Sequence, residues 1–164
     1  MWRLAESRDD DAIVAMCQAL NDEDPCEAPV PAAHVRRTLA ALRREPLRGL
    51  ALVLDLGASV LGYALLISFW SNELGGEVCV LDELYVRPGS RSHGHAQALV
   101  RSLLDGAGHW PQRPVALELE VSPRNERAHA LYERLGFAPI RNTRMRLHGP
   151  HLDTGLSSMP RSAL

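Results

Sequence analysis

The stretch Val80-Leu81-Asp82-Glu83-Leu84-Tyr85-Val86-Arg87-Pro88-Gly89-Ser90-Arg91-Ser92-His93-Gly94-His95-Ala96 constrains this chain more than any other. It reads as a buried strand that carries two adjacent carboxylates and stops at a proline, which cannot donate to a sheet ladder. A glycine-containing loop follows, and then a helix. Ala96, Leu99, Val100, Leu103, Leu104 and Ala107 recur at helical spacing and mark its buried face. The first backbone N–H groups of a helix lack intrahelical partners, and the helix dipole adds positive potential, so this junction predicts a site for a phosphate-sized anion. Gly94 removes the Cβ that would block close approach, Ala96 keeps the first turn small, and Arg91 can add a charge-assisted contact. An anion site a few residues from a candidate proton acceptor points to an enzyme with a phosphate-bearing cofactor.

The remaining elements surround this unit. A strand over Trp2 to Glu6 leads through the acidic cap Ser7-Arg8-Asp9-Asp10-Asp11 into a helix reaching about Leu20, with Ile13, Met16, Cys17 and Leu20 as its apolar stripe. After the proline-broken loop of residues 21–31, a second helix spans about Ala32 to Arg44. Strand-like runs at Leu50 to Leu56 and Val60 to Trp70 flank the turn Gly57-Ala58-Ser59, and a turn at residues 71–76 leads into Glu77 to Val86. Clean alternation marks a strand over Val115 to Val121. Ser122-Pro123-Arg124-Asn125 opens a last helix, which ends at the C-cap Gly136. Phe137 to Leu147 is expected to supply one or two closing strands. The order β-α-α-β-β-β-α-β-α-β implies an α/β fold with a mixed, mostly antiparallel sheet and helices on both faces, one domain over residues 1–147, and a tail of no assigned structure over 148–164.

Composition narrows the function. The chain has 164 residues and a formal net charge of -2, which argues against a nucleic-acid surface. No apolar run is long enough to span a bilayer, so no membrane partner is expected. The opening Met1-Trp2-Arg3-Leu4-Ala5-Glu6 lacks a signal-peptide core. Cys17, Cys26 and Cys79 form no metal-like spacing, so reduced thiols in a cytoplasm are expected. His93 and His95 have no third ligand nearby, and no metal is expected.

Leu84-Tyr85-Val86-Arg87-Pro88 followed by Arg91-x-x-Gly94-x-Ala96 resembles the signature segment of the GNAT superfamily of N-acetyltransferases. Asn125-x-x-Ala128-x-x-Leu131-Tyr132-x-x-x-Gly136-Phe137 resembles that family's second conserved stretch, and the element order matches its fold from Trp2 to about Leu147. Ser92 stands where the family usually has glycine.

The resemblance implies an N-acetyltransferase that takes acetyl coenzyme A as cosubstrate, without a metal. The loop Arg91-Ser92-His93-Gly94-His95-Ala96 would meet the pyrophosphate, and Leu84, Tyr85 and Val86 would run beside the pantetheine arm. Asn125 would hydrogen-bond that arm, Ala128 would be a small wall, and Tyr132 would return a proton to the departing thiolate. The attacking primary amine must be neutral, so a base is needed. Asp82 or Glu83 is the candidate; on a regular strand they face opposite sides, unless a β-bulge re-aims them. The acceptor would be a small-molecule or peptide amine: a polyamine, an aminoglycoside, or a lysine or N-terminal amine. Asp22, Glu23, Asp24 and Glu27 either form an anionic rim for such a cation or are solvated surface, and Trp70 to Glu73 is a second candidate wall. A homodimer through the last strands is expected. A non-catalytic coenzyme A-binding sensor is the alternative. A P-loop nucleotide site is disfavoured because its Lys-Ser/Thr ending is missing.

Overall fold

The computed structural model describes residues 1–25, 29–57, 59–106, 108–141 and 145–147. Five strands form one sheet in the order β1-β2-β3-β4-β5: β1 (Trp2–Leu4), β2 (Gly49–Asp55), β3 (Val60–Ser71), β4 (Gly76–Val86) and β5 (Ala116–Leu119). The first three pairings are antiparallel, and β4 and β5 run parallel. The mixed, mostly antiparallel sheet is therefore as the sequence predicts.

The two faces of the sheet bury separate cores. On one side, helices α1 (Asp10–Glu23) and α2 (Ala32–Arg44) lay Ile13, Met16, Cys17, Val35 and Leu39 against Val53, Tyr63, Leu65 and Tyr85. On the other, α3 (His95–Leu104) sets Leu99 and Leu103 against Leu52, Ala64, Leu66, Cys79 and Leu81. Tyr132 of the last helix, α4 (Glu126–Arg134), packs against this second core. Burial of each large aliphatic side chain is worth about 1.5–3 kcal/mol, so removing the period from either helix face would detach that helix.

Three boundaries differ from the sequence reading. The first strand stops at Leu4, and α1 runs one turn past Leu20 to Glu23. The strand expected over Val115 to Val121 is regular only over Ala116–Leu119, where β4 pairs with it. Among the described residues the expected closing strands do not form: none of 137–141 and 145–147 is in a strand, and Ile140, Met145 and Leu147 are exposed. Alternation alone does not make a strand; it needs a partner edge. Ala107 of the expected α3 stripe, part of the 57–59 turn, Cys26, Glu27 and the 148–164 tail lie outside the described residues. Among the described residues, no helix is long and apolar enough to cross a membrane.

β4 carries the feature that organises the site. Its register against β3 runs Leu65↔Glu83 and then Leu66↔Leu81, which leaves Asp82 as an inserted residue. This bulge reverses the phase of the strand. Before it, Cys79 and Leu81 face α3; after it, Leu84 faces α3, and Tyr85 faces α1 and α2. Glu83 is thereby turned to the α1 side, where a regular strand would have put it beside Leu81 on the α3 side.

Candidate active site

The parallel pair β4 and β5 stays in register only from Val78↔Ala116 to Leu81↔Leu119. Beyond the bulge β4 continues to Val86, still paired to β3 through Ala64↔Leu84, Tyr63↔Tyr85 and Gly62↔Val86. Its other edge has no strand partner among the described residues. A cleft of about 440 Å³ opens there. Leu84, Tyr85 and Val86 form its floor, the loop before α3 one wall, α4 the other, and Leu20 and Glu23 at the end of α1 its rim.

The loop wall lies at the expected strand-to-helix junction. A short 3-10 turn at Pro88–Ser90 hands the chain to Arg91. Ser92 and Gly94 then both take left-handed backbone, at φ 66° and 76°. For Gly94 that geometry costs nothing, and a Cβ built there meets no atom within 4 Å. Ser92 holds it against its own Cβ, in backbone geometry that favours glycine. Arg91, Ser92, Gly94, His95 and Ala96 line the cleft. His93 does not; its ring stacks on that of His95 with centroids 5.9 Å apart. The His95 carbonyl accepts from Trp2 Nε1 at 2.9 Å, which pins the start of α3 to β1.

Arg91 is committed elsewhere than the loop centre. Its Nε donates to the Val86 carbonyl at 2.6 Å, and Nη2 donates to both oxygens of Glu23 at 2.8 and 2.7 Å. The guanidinium lies 5.2 Å from the centroid of the Tyr85 ring, whose hydroxyl also donates to Glu23, at 3.1 Å. The neighbouring Asp24 accepts from Asn125 Nδ2 at 2.8 Å. The last turn of α1 thus holds both walls, through Glu23 to the loop and through Asp24 to α4. These two acids, read from sequence as acceptor rim or solvated surface, brace the cleft. The available signal was the α1 stripe: continuing Met16 and Leu20 by three residues lands on Glu23.

The α4 wall follows from its caps. Asn125 is the N-cap: its Oδ1 accepts from the Ala128 N–H at 3.1 Å. With its amide also bonded to Asp24, Asn125 lines the cleft as a strut. At the other end, Gly136 N–H donates to the Glu133 carbonyl and Phe137 N–H to the Tyr132 carbonyl, each at 3.0 Å, with Gly136 at φ 93°. This is a Schellman motif. Its hydrophobic contact is the Phe137 ring set edge-on to Tyr132, centroids 5.5 Å apart. The Gly-Phe pair therefore fixes the catalytic candidate on the preceding turn. Ala128 and Tyr132 line the cleft one turn apart. Burial pushes the Tyr132 hydroxyl up to about 12, so it stays protonated at neutral pH, and it has no hydrogen-bond partner among the described residues.

The two carboxylates stand apart from this cleft. Neither Asp82 nor Glu83 lines it. Asp82, the bulged residue, is exposed. Glu83 is half-buried on the α1 side, where its Oε2 accepts from the Tyr63 hydroxyl at 2.7 Å. Burial raises its carboxyl above the usual carboxylate range and the charge of Asp82 adds to this, while hydrogen bonds from Tyr63 and Cys17 oppose it. Tyr63 has no exposed surface and was not singled out from sequence; its partner is 20 residues away. Burial also raises the Cys79 thiol, to about 12, which makes it a packing residue rather than a nucleophile. Among the described residues no group of three or more His, Cys, Asp or Glu side chains could hold a metal ion.

The chain matches the family model described as Acetyltransferase (GNAT) family over residues 9–137. No curated protein sequence matches it. Among solved structures, one described as a possible acetyltransferase from Clostridium difficile 630 superposes with a TM-score of 0.76 at 20% identity, covering 92% of this chain and 98% of that one. A ribosomal-protein-alanine N-acetyltransferase from Brucella melitensis biovar Abortus 2308 gives 0.66 at 19% identity, covering 91% and 99%. An acetyltransferase from Trypanosoma brucei gives 0.62 at 21% identity, covering 90% and 99%. At these identities the likeness carries the fold, and the family model carries the membership. With the split β4 edge, the glycine loop and the capped tyrosine helix all inside the matched span, the chain belongs to the GNAT acetyltransferase family.

Proposed function

We propose that this protein is an acetyl coenzyme A-dependent N-acetyltransferase that acetylates a primary amine without an acyl-enzyme. The observation that carries the reading is the convergence of three elements on one cleft: the edge of Leu84 to Val86, which no described strand pairs, the loop from Arg91 to Ala96, and the Tyr132 hydroxyl, which has no hydrogen-bond partner among the described residues. When bound, acetyl coenzyme A supplies a thioester carbonyl open to direct attack by a neutral amine. The loop amides and the dipole of α3 face its pyrophosphate. The unpaired edge of β4 offers backbone groups to the pantetheine amides and N–H donors for charge developing on the carbonyl oxygen. Tyr132, protonated throughout the neutral range, gives its proton to the sulfur as the C–S bond breaks.

Glu83 takes the amine proton, directly or through water. Burial raises its pKa toward working pH, as a general base requires. Because Glu83 faces α1, the acceptor approaches from the α1 and α2 side, opposite α3. The charge of Glu23 is neutralised by Arg91, so attraction of a cationic amine rests on Asp22, Asp24, Asp82 and Glu83. A small cationic amine, a polyamine or an aminoglycoside fits that chemistry, as does a lysine or N-terminal amine of a peptide. The buried cysteines Cys17 and Cys79, which form no disulfide among the described residues, favour a reducing, cytoplasmic setting. The exposed apolar Ile140, Met145 and Leu147 favour a homodimer; a clean monomer by light scattering would remove it.

Isothermal titration with acetyl coenzyme A, followed by thiol-release assays over a panel of amines, tests the reading. Binding with turnover supports it. Absence of binding overturns the cleft assignment, and binding without turnover on any amine leaves a coenzyme A-binding module.

A further inference from the structure

We infer that Arg127 and Arg134 of α4, and not Arg91 of the loop, are the cations that meet the phosphate groups of the acyl donor. The inference rests on the reading of the cleft as the acetyl coenzyme A site. Arg91 is the arginine that the sequence places at the anion loop, yet three of its contacts are internal. Its Nε holds the Val86 carbonyl and its Nη2 holds both oxygens of Glu23. A phosphate brought to that guanidinium would also meet the Glu23 carboxylate, a like charge at hydrogen-bond range, so the pair as a unit offers an anion little. What the loop then provides is backbone amides and a helix dipole equivalent to about half a charge. That leaves most of the charge on a donor with several phosphate groups without a facing cation.

The opposite wall supplies the rest. Arg127 and Arg134 both line the cleft facing the loop, both are exposed, and neither forms an ion pair with a described residue. They lie at i and i+7 on α4, on one stripe with Leu131, which also lines the cleft. Seven residues of helix separate them by about 10 Å along the axis. Two cations so spaced suit a ligand with two separate phosphate groups, and coenzyme A has such a pair in its pyrophosphate and its 3′-phosphate. Exposed arginines on a helix are usually solvated, but these two lie across a cleft whose own loop arginine is already neutralised.

The test is titration of the full chain with acetyl coenzyme A, at low and at high salt, for wild type, the double variant Arg127→Gln/Arg134→Gln, the charge-retaining Arg127→Lys/Arg134→Lys, and the control Arg101→Gln on α3 away from the cleft. The expected result is a loss of affinity of about tenfold or more in the Gln pair, most of it recovered in the Lys pair. The salt dependence of binding should flatten in the Gln pair, and the control should match wild type. Repeating the titration with 3′-dephospho-acetyl coenzyme A assigns the phosphates. If Arg127 or Arg134 meets the 3′-phosphate, this probe binds wild type more weakly and responds less to the Gln substitutions; if both meet the pyrophosphate, the loss is unchanged. Wild-type affinity in the Gln pair overturns the inference while leaving the acetyl coenzyme A reading intact. No binding by wild type overturns that reading itself.

Discussion

The Tyr63 hydroxyl donates to Glu83 Oε2 across 2.7 Å, from a ring with no exposed surface. The β4 bulge at Asp82 makes this contact possible by turning Glu83 to the α1 side. Burial raises the Glu83 carboxyl and the Tyr63 hydrogen bond opposes the rise, so Tyr63→Phe should raise it further. The acid limb of the kcat/KM profile is expected to move to higher pH in this variant. An unmoved limb would remove Glu83 from the role of base.

Glu83→Gln separates chemistry from stability. Loss of a general base lowers turnover by about 10²–10⁴-fold. Stability should move the other way. The folded carboxyl titrates above its unfolded value, so the native state binds the extra proton between the two pKa values, and wild-type stability falls as pH rises through that window. Each unit by which the carboxyl is raised corresponds to about 1.4 kcal/mol. The variant should melt at higher temperature than wild type at pH 8, with the difference vanishing toward pH 4. Equal melting temperatures at pH 8 would contradict the raised carboxyl.

Tyr132→Phe keeps the ring against Phe137 and removes only the hydroxyl. Turnover is expected to fall by about 10²-fold or more, with acetyl coenzyme A affinity changed less than about twofold. Because burial holds the hydroxyl near 12, wild type should show no loss of kcat from Tyr132 ionisation below about pH 11. Unchanged turnover in the variant strips Tyr132 of the acid role.

Gly136→Ala tests the cap that seats Tyr132. At φ 93° an alanine is strained, at a cost of about 1–2 kcal/mol, and the Schellman bonds from Gly136 and Phe137 should weaken. Urea denaturation is expected to show that loss, together with a fall in turnover from a less ordered Tyr132. Full activity in a destabilised variant would show that the cap serves stability alone.

Ser92→Gly works in the opposite direction. Ser92 sits at φ 66° with a Cβ that glycine lacks, so the substitution should stabilise by up to about 1 kcal/mol once the extra unfolded-state freedom of glycine is subtracted. A lowered urea midpoint would mean that the Ser92 side chain makes a compensating contact.

What was readable in the chain was local. Helix stripes, the glycine-bearing loop before α3, the opening of α4 at Ser122 to Asn125 and its C-cap at Gly136 depend on residues within a turn or two of each other, and short-range sterics and hydrogen bonding settle them whatever the rest of the chain does. So the loop and the Tyr132 helix could be placed before any fold was known. Tertiary structure decided the remainder. The phase of β4 depends on how Leu65 and Leu66 pair with it, which no alternation within β4 reveals. Arg91 reads as a phosphate ligand and Asn125 as a cofactor contact, and only the fold reveals that Glu23, 68 residues away, bonds the first and Asp24, 101 residues away, bonds the second. Phe137 to Leu147 has strand-like residues, yet its described part finds no edge to join. A side chain's type declares what it can bond, but the free energy of that bond depends on desolvation and partner geometry, and both arise only when distant segments pack together.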